Sequence, residues 1–125
     1  MRDFVVELKQ RPGELARVAS TLARHHVTLK AGTALAVVTR LIARFVPSDI
    51  EAARRALDAA GIRFDEGEVV PVLLESRAGE LAMLSSRLAD GGITVRAMYL
   101  TSTLGSLVEL AIVPDNPERA KRVLE

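Results

Sequence analysis

The stretch Arg11-Pro12-Gly13-Glu14-Leu15-Ala16 returns at an offset of 66 as Arg77-Ala78-Gly79-Glu80-Leu81-Ala82. Followed through Ala34 and Leu100, the two copies agree at ten of 24 positions. After a one-residue insertion the offset becomes 67: Val46-Pro47 falls on Val113-Pro114, and Glu51, Ala53, Arg55 and Leu57 fall on Glu118, Ala120, Arg122 and Leu124. Self-similarity at a fixed period marks a repeated supersecondary unit, so the chain reads as a duplication.

Each copy shows the same order of signals. Phe4, Val6 and Leu8, like Val70, Val72 and Leu74, alternate as a half-buried first strand does. After a short loop, Leu15, Val18, Ala19, Leu22 and Ala23 recur at helical spacing, and Leu81, Leu84, Leu88 and Ala89 repeat most of that stripe. Residues 27–34 and 37–46 read as a hairpin, matched by 93–100 and 107–113, with Gly32 and Gly105 available for turns or bulges. Ser48-x-x-Glu51 has the form of a capping box before a second helix, which Gly61 is placed to end. In the second copy Asp115-Asn116 offers the cap and Pro117 suits the first helical turn. Residues 62–66 read as a fourth strand of copy one, whereas copy two stops inside its second helix.

The expected fold is therefore α+β: two tandem ferredoxin-like βαββαβ sandwiches with antiparallel sheets, residues 1–67 and 68–125, the second lacking its last strand. That strand would lie beside the first strand of its unit. The segment from Val69 to Glu75 is thus expected to keep an open edge that another strand covers, by preference that of a second chain.

Composition removes several functions. Cysteine is absent, which excludes disulfides, thiolate nucleophiles and cysteine-based zinc sites. No run reaches the ~18 apolar residues of a membrane span, and Asp3 follows Arg2 where a secretory signal would turn apolar, so the default compartment is the cytoplasm. Residues 1–66 carry eleven basic and eight acidic groups and residues 67–125 six and eight, or +3 and −2. Neither half has the one-sided basic footprint of a nucleic-acid binder.

The turn before each first helix carries the most chemical information. A helix start presents backbone N–H groups without internal partners, and a carboxylate is held there without any catalytic side chain. Pro-Gly-Glu is also ordinary helix-start grammar. The whole pattern weighs more: first strand, RPGELA-type loop, amphipathic helix, then Val27-Thr28-Leu29-Lys30 or Ile93-Thr94-Val95-Arg96. It resembles the ACT domain family, whose members bind amino acids or other small ligands and regulate enzymes or transcription. The resemblance covers nearly the whole chain twice and implies a tandem ACT-domain sensor, not an enzyme, acting by ligand-linked domain pairing.

In that family ligand lies where the first loop of one domain meets the second strand of a neighbouring one. Carried over, the resemblance implies one site at Gln10, Arg11, Pro12, Gly13, Glu14 and Leu15 with Thr28, and another at Ser76, Arg77, Ala78, Gly79, Glu80 and Leu81 with Thr94. Family loops often carry Asp or Asn before Pro-Gly, where this chain has Arg11 and an Arg77-Ala78 pair, so the ligand's identity stays open. An amino acid or similar small carboxylate and a second copy of the chain are the expected partners, with a metabolic enzyme or regulator as the receiver. No cofactor is expected.

Other constellations read as structural. His25-His26 are adjacent, lack a third ligand and suit a helix end, so no metal is expected. Asp65, Glu66 and Glu68 around Gly67 suit a solvated turn, and Ser20, Ser86, Thr101 and Ser102 lack the context of a nucleophile. An RNA-binding sheet would need stacking aromatics beyond Tyr99, and an acyl-phosphate hydrolase a phosphate loop that is missing. A ligand-free structural pairing module that regulates a partner remains the alternative.

Overall fold

A computed structural model describes residues 1–125, in two compact units: Arg2–Gly67, and Glu68–Glu125 with Met1. Met1 joins the second unit because its carbonyl accepts a hydrogen bond from the Val69 N–H at 2.9 Å.

The first unit runs β1 (Arg2–Lys9), α1 (Glu14–Arg24), β2 (Leu29–Val37), β3 (Arg40–Pro47), α2 (Ile50–Ala59) and β4 (Asp65–Glu68), whose last residue begins the second unit. Its sheet has the order β2-β3-β1-β4, with β3 antiparallel to both β1 and β2. Alternation along β1 sends Phe4, Val6 and Leu8 into the core with Val18 and Leu22 of α1 and Ala53, Ala56 and Leu57 of α2. Phe4 stacks on Phe45 at 5.6 Å and on Phe64 at 5.3 Å between ring centroids, so three of the four aromatics form one cluster.

The second unit runs β5 (Val70–Glu75), α3 (Glu80–Asp90), β6 (Val95–Leu104), β7 (Leu107–Pro114) and α4 (Pro117–Val123), with sheet order β5-β7-β6. This is the α+β pair of antiparallel sheets the repeat implies, with three strands in the second, and β5 lies at an edge. Pro71 sits in β5, opposite Ala111 of β7. A proline has no N–H, so within a strand it is tolerated where that missing donor faces away from the ladder.

The repeat extends to the irregularities. A register shift between Leu29 and Ala31 in β2 has its counterpart between Val95 and Ala97 in β6. The inserted residue of the second copy is the additional shift between Leu100 and Ser102. There the single Thr101 hydroxyl proton is shared between the Glu109 carboxylate at 2.6 Å and the Glu109 carbonyl at 3.1 Å, which holds the bulged strand.

Several sequence expectations need correction. The helix that follows β3 is capped by Asp49, not Ser48: the Asp49 carboxylate accepts from the Ala52 N–H at 3.0 Å, while Glu51 instead pairs with Arg54. Asp49 has the extended backbone an N-cap requires, φ −125°, and α2 starts one residue later than the Ser48 box needs. The fourth strand is Asp65–Glu68, later than residues 62–66; Ile62 and Phe64 reach the core from the preceding connection. Gly32 lies inside β2, while the first hairpin turns at Val38-Thr39. On α1 the buried face is Glu14, Val18, Thr21 and Leu22. The apolar stripe of the sequence is wider than that, and Leu15, Ala19 and Ala23 stay exposed on its flank.

Candidate functional site

The loop between β1 and α1 is a tight turn. The Glu14 N–H reaches the Arg11 carbonyl at 3.4 Å, and Gly13 has φ +88° and ψ −14°, the geometry of a type II turn with Pro12 and Gly13 at its centre. The second copy repeats it at Arg77-Ala78-Gly79-Glu80, with Gly79 at φ +91° and ψ −20°. The turn therefore favours glycine, with asparagine the tolerated alternative, by backbone conformation alone. A Cβ at either glycine would meet nothing within 4 Å, so open space stands above both helix starts.

Side chains then fix each loop. Gln10 donates its amide to the carbonyls of Val38 at 2.7 Å and Arg40 at 2.9 Å, tying the loop to the β2–β3 turn. Its counterpart Ser76 uses its backbone, donating to the Ser106 carbonyl at 2.7 Å. Glu14 is buried at the first turn of α1 with Arg17 at 3.5 Å and Arg11 at 3.9 Å. Glu80 accepts from Arg77 at 2.8 Å. A carboxylate in the first turn suits the positive helix end. Arg11 and Arg77 remain largely exposed, with side-chain accessibilities of 61% and 71%, and so can turn to an incoming anion.

Thr28 does not join Gln10–Leu15 within its own unit. The loop adjoins the Val38 turn, at the end of β2, whereas Thr28 precedes Leu29 at the beginning; eight strand steps span about 26 Å. Thr28 accepts from the Ser48 N–H at 2.8 Å, and Thr94 exchanges hydrogen bonds with Asp115, its N–H donating to the carboxylate at 3.1 Å.

Beside the first loop lies a hollow of about 360 Å³ that the sequence reading missed. Leu15, Val18, Ala19 and Leu22 of α1 form one wall; Gly32, Ala34, Ala43 and Phe45 of the sheet form the other, with Leu29 at β2. The exposed apolar flank of α1 is thus the helix wall of a pocket. Its signal was available in the repeat: register places Gly32, Ala34 and Ala43 where the second unit has Met98, Leu100 and Leu110. Three small residues stand for three large ones. Arg44 also contributes to the lining, but its guanidinium donates to the fully buried Asp3 carboxylate at 2.8 and 3.2 Å.

In the second unit a groove of about 490 Å³ runs along β5, walled by Met83 and Leu84 of α3 and by Leu124. No three His, Cys, Asp or Glu side chains group closely enough to hold a metal ion. No helix is long and apolar enough to cross a membrane. His25 follows α1 as its C-cap, its Nδ1 3.1 Å from the Thr21 carbonyl.

A family model described as an ACT domain pair matches residues 1–125. No curated protein sequence matches the chain. Among solved structures, a protein from Bacteroides thetaiotaomicron superposes with a TM-score of 0.86 at 24% identity, over 98% of this chain and 85% of that one. The ligand-free regulatory subunit of aspartate kinase from Thermus thermophilus gives 0.69 at 17% identity, over 98% and 87%. The aspartokinase alpha and beta subunits give 0.68 at 22%, over 98% and 88%. At such identities the likeness is one of fold.

Proposed function

The chain belongs to the ACT domain pair family, and from that premise we propose that it is a non-enzymatic regulatory protein that binds an amino acid and converts binding into association between ACT units. The observation that carries this reading is the loop Gln10–Leu15: a type II turn delivers a helix start with open space above Gly13, with the exposed cation Arg11 in the turn and an apolar hollow that begins at Leu15. Those parts suit the carboxylate and the side chain of an amino acid respectively. The equivalent loop at Ser76, Arg77, Ala78, Gly79, Glu80 and Leu81 offers a second position.

The turn alone is insufficient. A carboxylate at a helix end gains about 0.3–2 kcal/mol, whereas a micromolar complex needs about 8 kcal/mol. A neighbouring unit must therefore add contacts, and the strand start at Thr28 or Thr94 of such a neighbour would face the ligand. Because ligand then touches two units, it favours their association and is favoured by it in return. The free edge of β5 supports a second reading, in which a second copy of the chain pairs there to give a homodimer and regulates a partner without ligand.

Thermal-shift measurement against the twenty amino acids separates the two. A ligand at 100 times its Kd stabilises the folded chain by about 2.7 kcal/mol. Gly13→Asn keeps the left-handed turn, since asparagine tolerates it, yet places a side chain in the open space, and should weaken binding about tenfold or more. Absence of any shift with all twenty leaves the ligand-free pairing module.

A further inference from the structure

We propose that the hollow between α1 and β2 receives the ligand's side chain and selects an amino acid whose side chain is apolar and of the size of valine to phenylalanine. The inference rests on the amino-acid reading above and names the class of ligand.

Three observations carry it. First, the hollow begins at Leu15, in the first turn of α1 and directly after the loop that would hold the ligand's charged groups, and its volume of about 360 Å³ lies within the range of small-molecule pockets. Second, it is particular to the first unit's sequence. Both hairpins share their register and first bulge, yet Ala34 and Ala43 stand where Leu100 and Leu110 would each bring three further carbons. Gly32 stands where the second unit has Met98, and its backbone is not left-handed, so no turn requires it. A Cβ at Gly32 would lie 3.0 Å from the Arg44 carbonyl oxygen, which accounts for part of that glycine. The alanines are then the residues that keep the space open. A glycine within a strand also commonly marks the close approach of a ligand.

Third, the lining discriminates by charge. No charged side chain faces the hollow: Ala43 and Phe45 point into it, so by strand alternation the Arg44 side chain lies on the opposite face of the sheet, engaged by Asp3, and Thr33 is the other polar residue of the lining. A lysine or arginine side chain would enter without a counter-ion, and an aspartate or glutamate without a cation. Burying a charge without a partner is strongly unfavourable, whereas an aliphatic or aromatic group gains from leaving water.

Titration calorimetry of the whole chain with valine, leucine, isoleucine, methionine and phenylalanine, against serine, aspartate and lysine, tests the proposal. Binding is expected within the apolar set and not with aspartate or lysine. Ala34→Leu, which installs the second unit's residue, should lower the affinity about tenfold or more. Ala19→Leu fills the same space from the exposed side of α1 and serves if Ala34→Leu does not fold. Binding of serine, aspartate or lysine in preference to the apolar set overturns this inference and leaves the amino-acid reading standing. Unchanged affinity for an apolar ligand in both variants also overturns it. Failure of every amino acid to bind removes the amino-acid reading and this inference together.

Discussion

Val38 and Gly105 occupy the same position in two equivalent hairpin turns, and both have a left-handed backbone, with φ of +54° and +59°. Glycine adopts that conformation freely; a β-branched residue does so under strain. Val38 is 91% exposed, so no core packing offsets the cost. Its carbonyl accepts the Gln10 amide at 2.7 Å, and this bond helps hold the turn in place.

Val38→Gly should therefore stabilise the first unit, by about 1 kcal/mol, the order of the left-handed penalty for a residue bearing a Cβ. Calorimetry should show a melting temperature higher by a few degrees; a decrease would mean that the valine side chain contributes packing.

The two candidate caps of α2 separate cleanly by mutation. Asp49→Ala should cost about 1 kcal/mol, because it frees the Ala52 N–H, while Ser48→Ala should change stability by less than about 0.5 kcal/mol. Urea denaturation of both variants measures the difference, and equal losses would contradict the assignment of Asp49.

Asp3 and Arg44 form a pair of unequal burial: the carboxylate is 0% exposed, and the Arg44 side chain is 18% exposed. Arg44→Met should cost about 3–5 kcal/mol, since it takes the paired cation away from a buried anion. Asp3→Asn should cost less, because Arg44 reaches water. Reversal of that order in chemical denaturation would show that the carboxylate has enough other support.

Glu66 links β1, α2 and β4 by accepting from Arg54 at 2.7 and 2.8 Å and from Arg2 at 2.7 Å. These bonds, Arg54's foremost, hold its pKa below the ordinary value of 4.5 in the folded chain. A depressed folded pKa means that this contribution is complete above pH 4.5 and is lost as pH falls through the folded value. Glu66→Gln should therefore flatten the fall in stability below pH 4.5 while lowering stability at pH 7. An unchanged acid limb would show that other carboxylates govern it.

The duplicated pattern was legible because strand alternation, the RPGELA loop and the helical stripes each recur at one offset, and the repeat carries over even to the bulges at Leu29 and Val95. Adjacent alternatives were harder. Ser48 and Asp49 are both good caps, and the choice depends on where α2 acquires helical dihedrals, which tertiary packing of Ala53 and Leu57 decides. The stripe on α1 showed which residues are apolar without showing how far the sheet extends beneath them. Leu15 and Ala19 consequently read as core, although they border a hollow. That hollow needed the pairing register, since Gly32, Ala34 and Ala43 are separated in sequence and share a wall only after β2 and β3 align.

Pro71 gives the open edge of β5 a further property. A bare strand edge invites indefinite stacking of like edges, the route to aggregates. Residue 71 offers no hydrogen-bond donor, so an arriving strand finds a gap in the row it would zip against. A strand added along that edge would therefore form one hydrogen bond fewer at residue 71, the kind of interruption that hinders open-ended stacking of edges.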